Sequence, residues 1–473
     1  MRLRRQFGRA VAGVAAVAPL CGMAVAGIGA ASPVPRPASH PSTALARVSI
    51  SPEISIFPNA TKPQLTPVNH PPVNRPDGTF IDGYHPAQIR AAYFLNPLLK
   101  KGINGKGTSI VIVDSFGSPT IRHDLGVFDR AFKLPAPPAL SIIHPAGPIP
   151  KFNPNNSTMA DWAAETTLDV EWAHVMAPDA KIVLAETPTS ENEGTSGFPQ
   201  IVTAEKYVIE HHLGDVISQS FGATEETFGK GRLRPLRGAY LEAAQRSHDI
   251  TVLGASGDAG ATDLQTNESD YYTRRVTSWP ASDPLVTAVG GLDVNLSSTG
   301  TRNAPDRVWN DPSPPPSAGG GGLSIIFGRP AFQNGVAGIV GKQRGVPDIS
   351  LSASCTHPVA IFATFDQSGW NVICGTSEAT PLFAGLVALA AQVAGRPLGP
   401  INGFLYKMAA AKDPGIVDVT RGNNTVVVEQ NGKQTTVKGW NAVRGYDLAS
   451  GLGTINAKLF VPELAALAKK AGT

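Results

Sequence analysis

An α/β fold, with a mostly parallel central sheet and helices on both faces, is predicted by two features of the chain. One is the strand Thr108-Ser109-Ile110-Val111-Ile112-Val113-Asp114, whose apolar run is nearly continuous. A strand buried on one face alternates, whereas one buried on both faces does not. The other is the regular succession of such runs and helical periods that follows it, the pattern that builds parallel sheets covered on both sides. Composition is compatible with this: 42% hydrophobic residues suffice for a core and exclude wholesale disorder. Lys+Arg 40 against Asp+Glu 37 leaves +3, too balanced for a protein whose task is gripping nucleic acid or an anionic membrane. Three cysteines rule out a disulfide scaffold and a four-cysteine zinc site.

The chain opens with Arg2, Arg4 and Arg5, then an apolar Ala/Val/Gly stretch from Val11 to Ala31, with small residues before cleavage points after Ala26 or Ala31. This order predicts a secretory signal over 1–31, hence a secreted or cell-envelope protein with no stable membrane insertion after cleavage. The competing reading is a retained anchor, for which the glycines and Pro19 make a poor spanning helix. Cys21 leaves with the signal, so Cys355 and Cys374 remain, either as one disulfide or as a buried free pair. Residues 32–85 are rich in Pro, Ser, Thr and Asn and read as an extended, disordered segment. One ordered domain is expected over 86–473.

Within it, helical spacing begins at Ala87–Tyr93 and recurs over Asp161–Met176, stopping before Pro178. Strand runs follow at Lys181–Ala185, Asp215–Ser220 and Ile250–Ala255. Helices are expected over Phe198–His212 and over Leu236–Arg246 with Pro235 at its start, and a loop over 313–322. A long apolar helix runs from Thr380 to near Gly395, and Asn431-Gly432 marks a hairpin.

Gly375-Thr376-Ser377-Glu378-Ala379-Thr380-Pro381 sits between a β-like run and that apolar helix. A serine there lies at a helix N-terminus, where backbone N–H groups can stabilise an oxyanion; the plainer alternative is a helix cap with Pro in the first turn. A serine nucleophile needs a base. Glu165 and Asp169 stand one turn apart on the same face of a largely apolar helix, so one carboxyl can hold the other's proton. Asp258, in Ser256-Gly257-Asp258-Ala259-Gly260 after a buried strand, can donate to an oxyanion while protonated; an ordinary Asp turn is the bland reading.

These stretches together resemble the sedolisin (serine-carboxyl peptidase) family, relatives of the subtilisins, over about residues 86–460. The resemblance is carried by Glu165…Asp169 with Ala177-Pro178, by Ser220-Phe221-Gly222 with Glu225, and by Ser256-Gly257-Asp258. Pro280–Pro284 with Thr287–Gly291, glycines 319–322 with Ser324, Pro347-Asp348 and Gly375-Thr376-Ser377…Pro381 complete it. It implies a subtilisin-like α/β fold and a monomeric endopeptidase that cleaves protein or peptide substrates at acidic pH. Ser377 is then the nucleophile, Glu165 the general base, Asp169 its partner and Asp258 the oxyanion stabiliser. It also implies one Ca²⁺ held by Asp418, Val419, Val443, Gly445 and Asp447, the carboxylates from the two aspartates and backbone carbonyls from the rest. Val443 and Tyr446 stand where the family usually has Gly and Trp, Glu378 where it usually has a small residue, and the family's large folded propeptide has no counterpart in 32–85. The rivals are a histidine-dependent serine protease, with His174 the sole candidate in the right region, and a non-catalytic exported binding protein on the same fold.

Overall fold

The computed structural model describes residues 48–50, 54–57, 83–190, 197–245, 249–267, 269–311, 316–366 and 369–472. The expected signal over 1–31 lies outside the described residues, as does most of 32–85. Within the latter segment two short strands are described, Val48–Ile50 and Ile54–Phe57, where the sequence reading expected no regular structure.

The strands that position the site are β1 (Ser109–Ser115), β2 (Leu140–Ile143), β3 (Lys181–Thr187), β4 (Val216–Ser218), β5 (Thr251–Ala255), β6 (Thr287–Asp293), β7 (Arg307–Val308), β8 (Ile349–Ser352), β9 (Val359–Ala363) and β10 (Gly369–Cys374). A hairpin, β11 (Val426–Gln430) and β12 (Lys433–Val437), follows. The helices are α1 (Ser157–Met176), α2 (Phe198–Glu210) and α3 (Thr376–Ala394). The central sheet runs β7-β6-β5-β4-β1-β3-β2, with β8 also beside β6; every pairing is parallel except that of β7.

Burial explains the continuous apolar runs. Ile110 and Ile112 of β1 face one core cluster with α1 and α3, while Val111 and Val113 face a second with α2. The strand therefore has no polar face. Helix α3 is apolar from Pro381 to Ala391 for the same reason: it is a core helix, buried throughout its first sixteen residues. Asn156 starts α1 by accepting the Met159 N–H at 3.1 Å.

One element differs from the sequence reading. Pro235 does not open a helix; it lies near the end of the helix Glu225–Leu236, and a short helix Gly238–Ala243 follows. The break falls instead at Gly229, whose φ of 57° leaves the helical region at no steric cost.

Cys355 and Cys374 form a disulfide, which decides between the two readings left open by the sequence. It ties the last residue of β10 to the loop after β8. On its other edge β10 pairs antiparallel with Ile54–Phe57, Cys374 opposite Ser55.

Candidate active site

Helix α1 carries Glu165 and Asp169 on the face turned to α3, and both carboxyls are fully buried. Helix α3 begins at Gly375, whose φ of 131° favours glycine, and so delivers Thr376 and Ser377 at its first turn. The two helices lie against each other on one face of the sheet. Sequence elements more than two hundred residues apart thereby meet at one point.

Ser220, in the loop after β4, joins them. Its hydroxyl donates to Asp169 Oδ1 at 3.0 Å, and its carbonyl accepts from the Ser377 hydroxyl at 3.3 Å. Neither Glu165 oxygen meets a donor in full hydrogen-bond geometry; the Ser377 hydroxyl and the Asp169 carboxyl are its polar neighbours. Burial, above all, pushes the Glu165 carboxyl well above the usual carboxylate range, and the charges of Asp169 and Asp114 push it further. Asp169 is raised in the same way by burial and by Asp114, against the stabilising Ser220 hydroxyl. A buried pair of this kind keeps one proton between two carboxyls over a wide pH range.

Asp114 is a third buried acid beside the pair. It ends the apolar stretch of β1, faces Glu186 across the β1–β3 register, and is raised to about 7 by burial. Its position at a strand end was visible in the sequence; its place behind the pair was not.

Asp258 lies across the helix terminus from Glu165. Its Oδ1 accepts the Thr376 backbone N–H at 2.7 Å and the Thr376 hydroxyl at 2.8 Å. Burial still lifts its carboxyl well above the ordinary value, these two bonds notwithstanding. The glycines at 319–322, in the loop expected there, run alongside it: Ala318 N–H donates to the Asp258 carbonyl at 2.9 Å, and Gly320 N–H to Gly257 O at 2.6 Å. A Cβ on Gly320 would stand 2.0 Å from the Ser256 carbonyl oxygen, so this contact admits only glycine.

His174 does not reach this group. Its Nε2 lies 2.7 Å from the Pro135 carbonyl and 3.3 Å from Asp129 Oδ1, on the far side of α1. Glu378 turns inward. It is fully buried, with no donor in full hydrogen-bond geometry; the Ser352 hydroxyl and the charge of Asp258 are what its carboxyl feels. Burial pushes it well up as well.

The two stretches expected to hold calcium meet: Gly445 N–H donates to Asp418 Oδ2 at 3.0 Å. Asp447 Oδ2 accepts Val443 N–H at 2.9 Å, and its Oδ1 accepts Ala449 and Ser450 N–H. Val419 is buried and Val443 is 47% exposed. Among the described residues no three His, Cys, Asp or Glu side chains cluster as metal ligands. An ion here would therefore depend on backbone carbonyls beside two carboxylates, an all-oxygen set of the kind calcium takes. The Asp447 carboxylate is oriented by three N–H groups and by the Ser450 hydroxyl, 3.1 Å from both of its oxygens, whereas Asp418 is met by the Gly445 N–H at one oxygen.

A model of the subtilase family matches residues 152–400, the segment that runs from α1 to the end of α3. The chain is a sedolisin-type member of the subtilase family. Kumamolisin of Bacillus sp. (strain MN-32) is 30% identical over 380 residues, covering 78% of this chain and 62% of that protein. Sedolisin of Pseudomonas sp. (strain 101) is 29% identical over 273 residues, 57% of this chain and 44% of that one. Human tripeptidyl-peptidase 1 is 26% identical over 307 residues, 62% of this chain and 50% of that one. The chain thus spans less than two thirds of the length of these relatives. The solved Pseudomonas sedolisin, a serine-carboxyl proteinase complexed with two molecules of pseudo-iodotyrostatin, superposes with a TM-score of 0.68 at 24% identity. It covers 83% of this chain and 99% of that one. The subtilisin-like α/β fold expected from the sequence is the observed one.

Proposed function

We propose that this sedolisin-type chain is an exported, acid-acting serine-carboxyl endopeptidase. One observation carries the reading: Ser220 links the Ser377 hydroxyl to Asp169, on the face where Glu165 sits and beside the helix terminus that holds Asp258. In this reading Ser377 Oγ attacks the scissile carbonyl while Glu165 takes its proton. Asp169 shares the proton load of Glu165 and keeps it basic enough to act. The carbonyl oxygen becomes an oxyanion, met by the protonated Asp258 carboxyl and the N-terminal N–H groups of α3. Glu165 then returns the proton to the leaving amine, which departs as the acyl-enzyme forms. Water repeats the sequence and frees Ser377.

The base must be ionised and Asp258 protonated at the same pH. A pair sharing one proton satisfies the first condition and the raised Asp258 satisfies the second, so the working range lies on the acid side. Asp418, Val419, Val443, Gly445 and Asp447 would hold one calcium ion, which would brace the C-terminal loops without entering the chemistry. The deciding experiment is cleavage of a denatured protein from about pH 2 to 9, with a Ser377→Ala control and calcium present. Serine-dependent cleavage on the acid side is expected. An alkaline optimum, or cleavage that survives Ser377→Ala, would sink the proposal.

A further inference from the structure

The hairpin β11–β12 reads in the sequence as an insertion with no legible role. Its root is built into the segment that carries Asp258. Asn424, just before β11, is fully buried. Its carbonyl accepts the Ala261 N–H at 3.0 Å, three residues beyond Asp258. Its side-chain Nδ2 donates to Gly319 O at 3.2 Å, on the glycine segment whose Ala318 N–H holds the Asp258 carbonyl. Its Oδ1 accepts Trp440 N–H at 2.7 Å, and its own N–H donates to Trp440 O at 3.1 Å, closing the far side of the hairpin. One residue thus connects both ends of the hairpin, the glycine segment and the Asp258 loop.

The hairpin adds packing to these bonds. Val426, Val428 and Val437 form a buried apolar cluster with Ala261 and Ala318, the residues that flank the Asp258 loop and the glycine segment. A Cβ at Gly260 would stand 2.6 Å from Val426 Cγ1 and 2.8 Å from Asn424 O, so hairpin and loop are in close contact there. A carboxyl that must meet an oxyanion gains its effect only if held in place before the charge forms. Thr376 fixes the Asp258 side chain; something must also fix the backbone from which it projects.

We propose that Asn424, with the hairpin it roots, is a positioning residue for Asp258. This rests on the reading of Asp258 as the oxyanion-stabilising group. Asn424 makes no contact with substrate in this scheme and acts only through the geometry of Ser256–Ala261.

The test is a double-mutant cycle of Asn424→Ala and Asp258→Asn in the full chain, with kcat and KM read at the acid optimum. Asn424→Ala is expected to lower kcat about tenfold to a hundredfold, with KM within about twofold of the parent. In the Asp258→Asn background it is expected to cost nothing more. Losses that multiply across the two backgrounds would overturn the positioning role while leaving Asp258 its own. An Asp258→Asn enzyme with undiminished kcat would overturn the oxyanion reading, and the present inference with it. Asn424→Asp guards against a variant that fails to fold, because it keeps the shape and the acceptor for Trp440 N–H. Its carboxyl can donate to Gly319 O only when protonated, so its kcat relative to the parent should rise as pH falls. A ratio that is flat with pH would count against the proposal.

Discussion

Thr376 holds Asp258 twice through one oxygen, with its backbone N–H at 2.7 Å and its hydroxyl at 2.8 Å. The same hydroxyl accepts the Gly257 N–H at 3.2 Å, so the residue before Ser377 ties helix α3 to the loop opposite. Both Thr376 bonds favour the ionised form of Asp258 and act against its burial. Thr376→Val keeps the shape and removes the hydroxyl. Losing a stabiliser of the charged form makes the Asp258 carboxyl keep its proton to higher pH, so the alkaline limb of the pH–rate profile should move to higher pH. At the same time kcat should fall about tenfold, equivalent to ~1.4 kcal/mol, because the carboxyl is less well placed. Thr376→Ser should behave as the parent. An alkaline limb moving downward in the valine variant would contradict this account.

Glu165 and His174 are the two candidate bases, and they differ by geometry rather than by sequence. His174 is engaged by the Pro135 carbonyl and Asp129, while Glu165 faces Ser377. Glu165→Gln should therefore lower kcat by about a hundredfold to ten-thousandfold, the usual range for a lost general base. His174→Ala should lower the melting temperature and leave the shape of the pH–rate profile unaltered. Steady-state kinetics on the two variants across the pH range decides between them.

The sheet and its helices were legible because burial on both faces leaves a direct mark: β1 is unbroken apolar from Ile110 to Val113 and α3 from Pro381 to Ala391. The candidate serine and carboxyls were picked out by position: Glu165 and Asp169 inside a largely apolar helix, Asp258 in the glycine turn after a buried strand, and Ser377 at a strand-to-helix junction. Ser220, Thr376 and Asn424 were not legible as a working set. Each acts through a hydrogen bond to a segment 51 to 118 residues away, and such pairings leave no period in the sequence. The helix boundary at Pro235 was misplaced because proline is tolerated at more than one helix position; the chain breaks at Gly229 and again at Arg237, on either side of it. The pairing of Cys355 with Cys374 needed the fold, since spacing does not determine connectivity.

That disulfide closes a loop with a sequence separation of 19, and one of its ends adjoins Gly375. Chain-entropy arguments place the stabilisation from a loop of this size at about 3 kcal/mol. Reduction, or the paired change of Cys355 and Cys374 to Ser, should lower the melting temperature by several degrees. Thermal unfolding with and without a reductant measures this. The double-serine variant should no longer respond to reductant; a continued response would place the effect elsewhere.

The calcium binding proposed for the Asp418–Asp447 loops has a readout independent of catalysis. An ion that binds only the folded chain adds about 2.7 kcal/mol at a hundredfold excess over its Kd. Chelation should therefore lower the melting temperature of the parent, and added Ca²⁺ should restore it. Asp418→Asn should abolish both responses. Asp418 is chosen because only one of its oxygens is engaged by Gly445, whereas Asp447 also holds the loop from Val443 to Ser450 together.

Glu378 supplies a signed prediction for stability against pH. Its carboxyl is fully buried one residue after Ser377, and burial raises its ionisation well above the ordinary value of about 4.3, with the Asp258 charge adding to the effect and the Ser352 hydroxyl opposing it. The folded chain therefore binds this proton more tightly than the unfolded chain does. By linkage, its contribution to stability is complete below the unfolded ionisation and is lost as pH rises toward the folded one. The slope is at most about 1.36 kcal/mol per pH unit for a single proton. Glu171 and Glu205, also buried and raised, add slopes of the same sign, so the parent should weaken steadily above about pH 4. Glu378→Gln keeps the shape and removes the proton, so it should take away one share of that slope and leave the rest. Urea unfolding at several pH values from about 4 to 7 reads the difference directly. A parallel pair of stability curves would mean that Glu378 keeps the same ionisation in both states, and that its burial is relieved by a group not seen facing it.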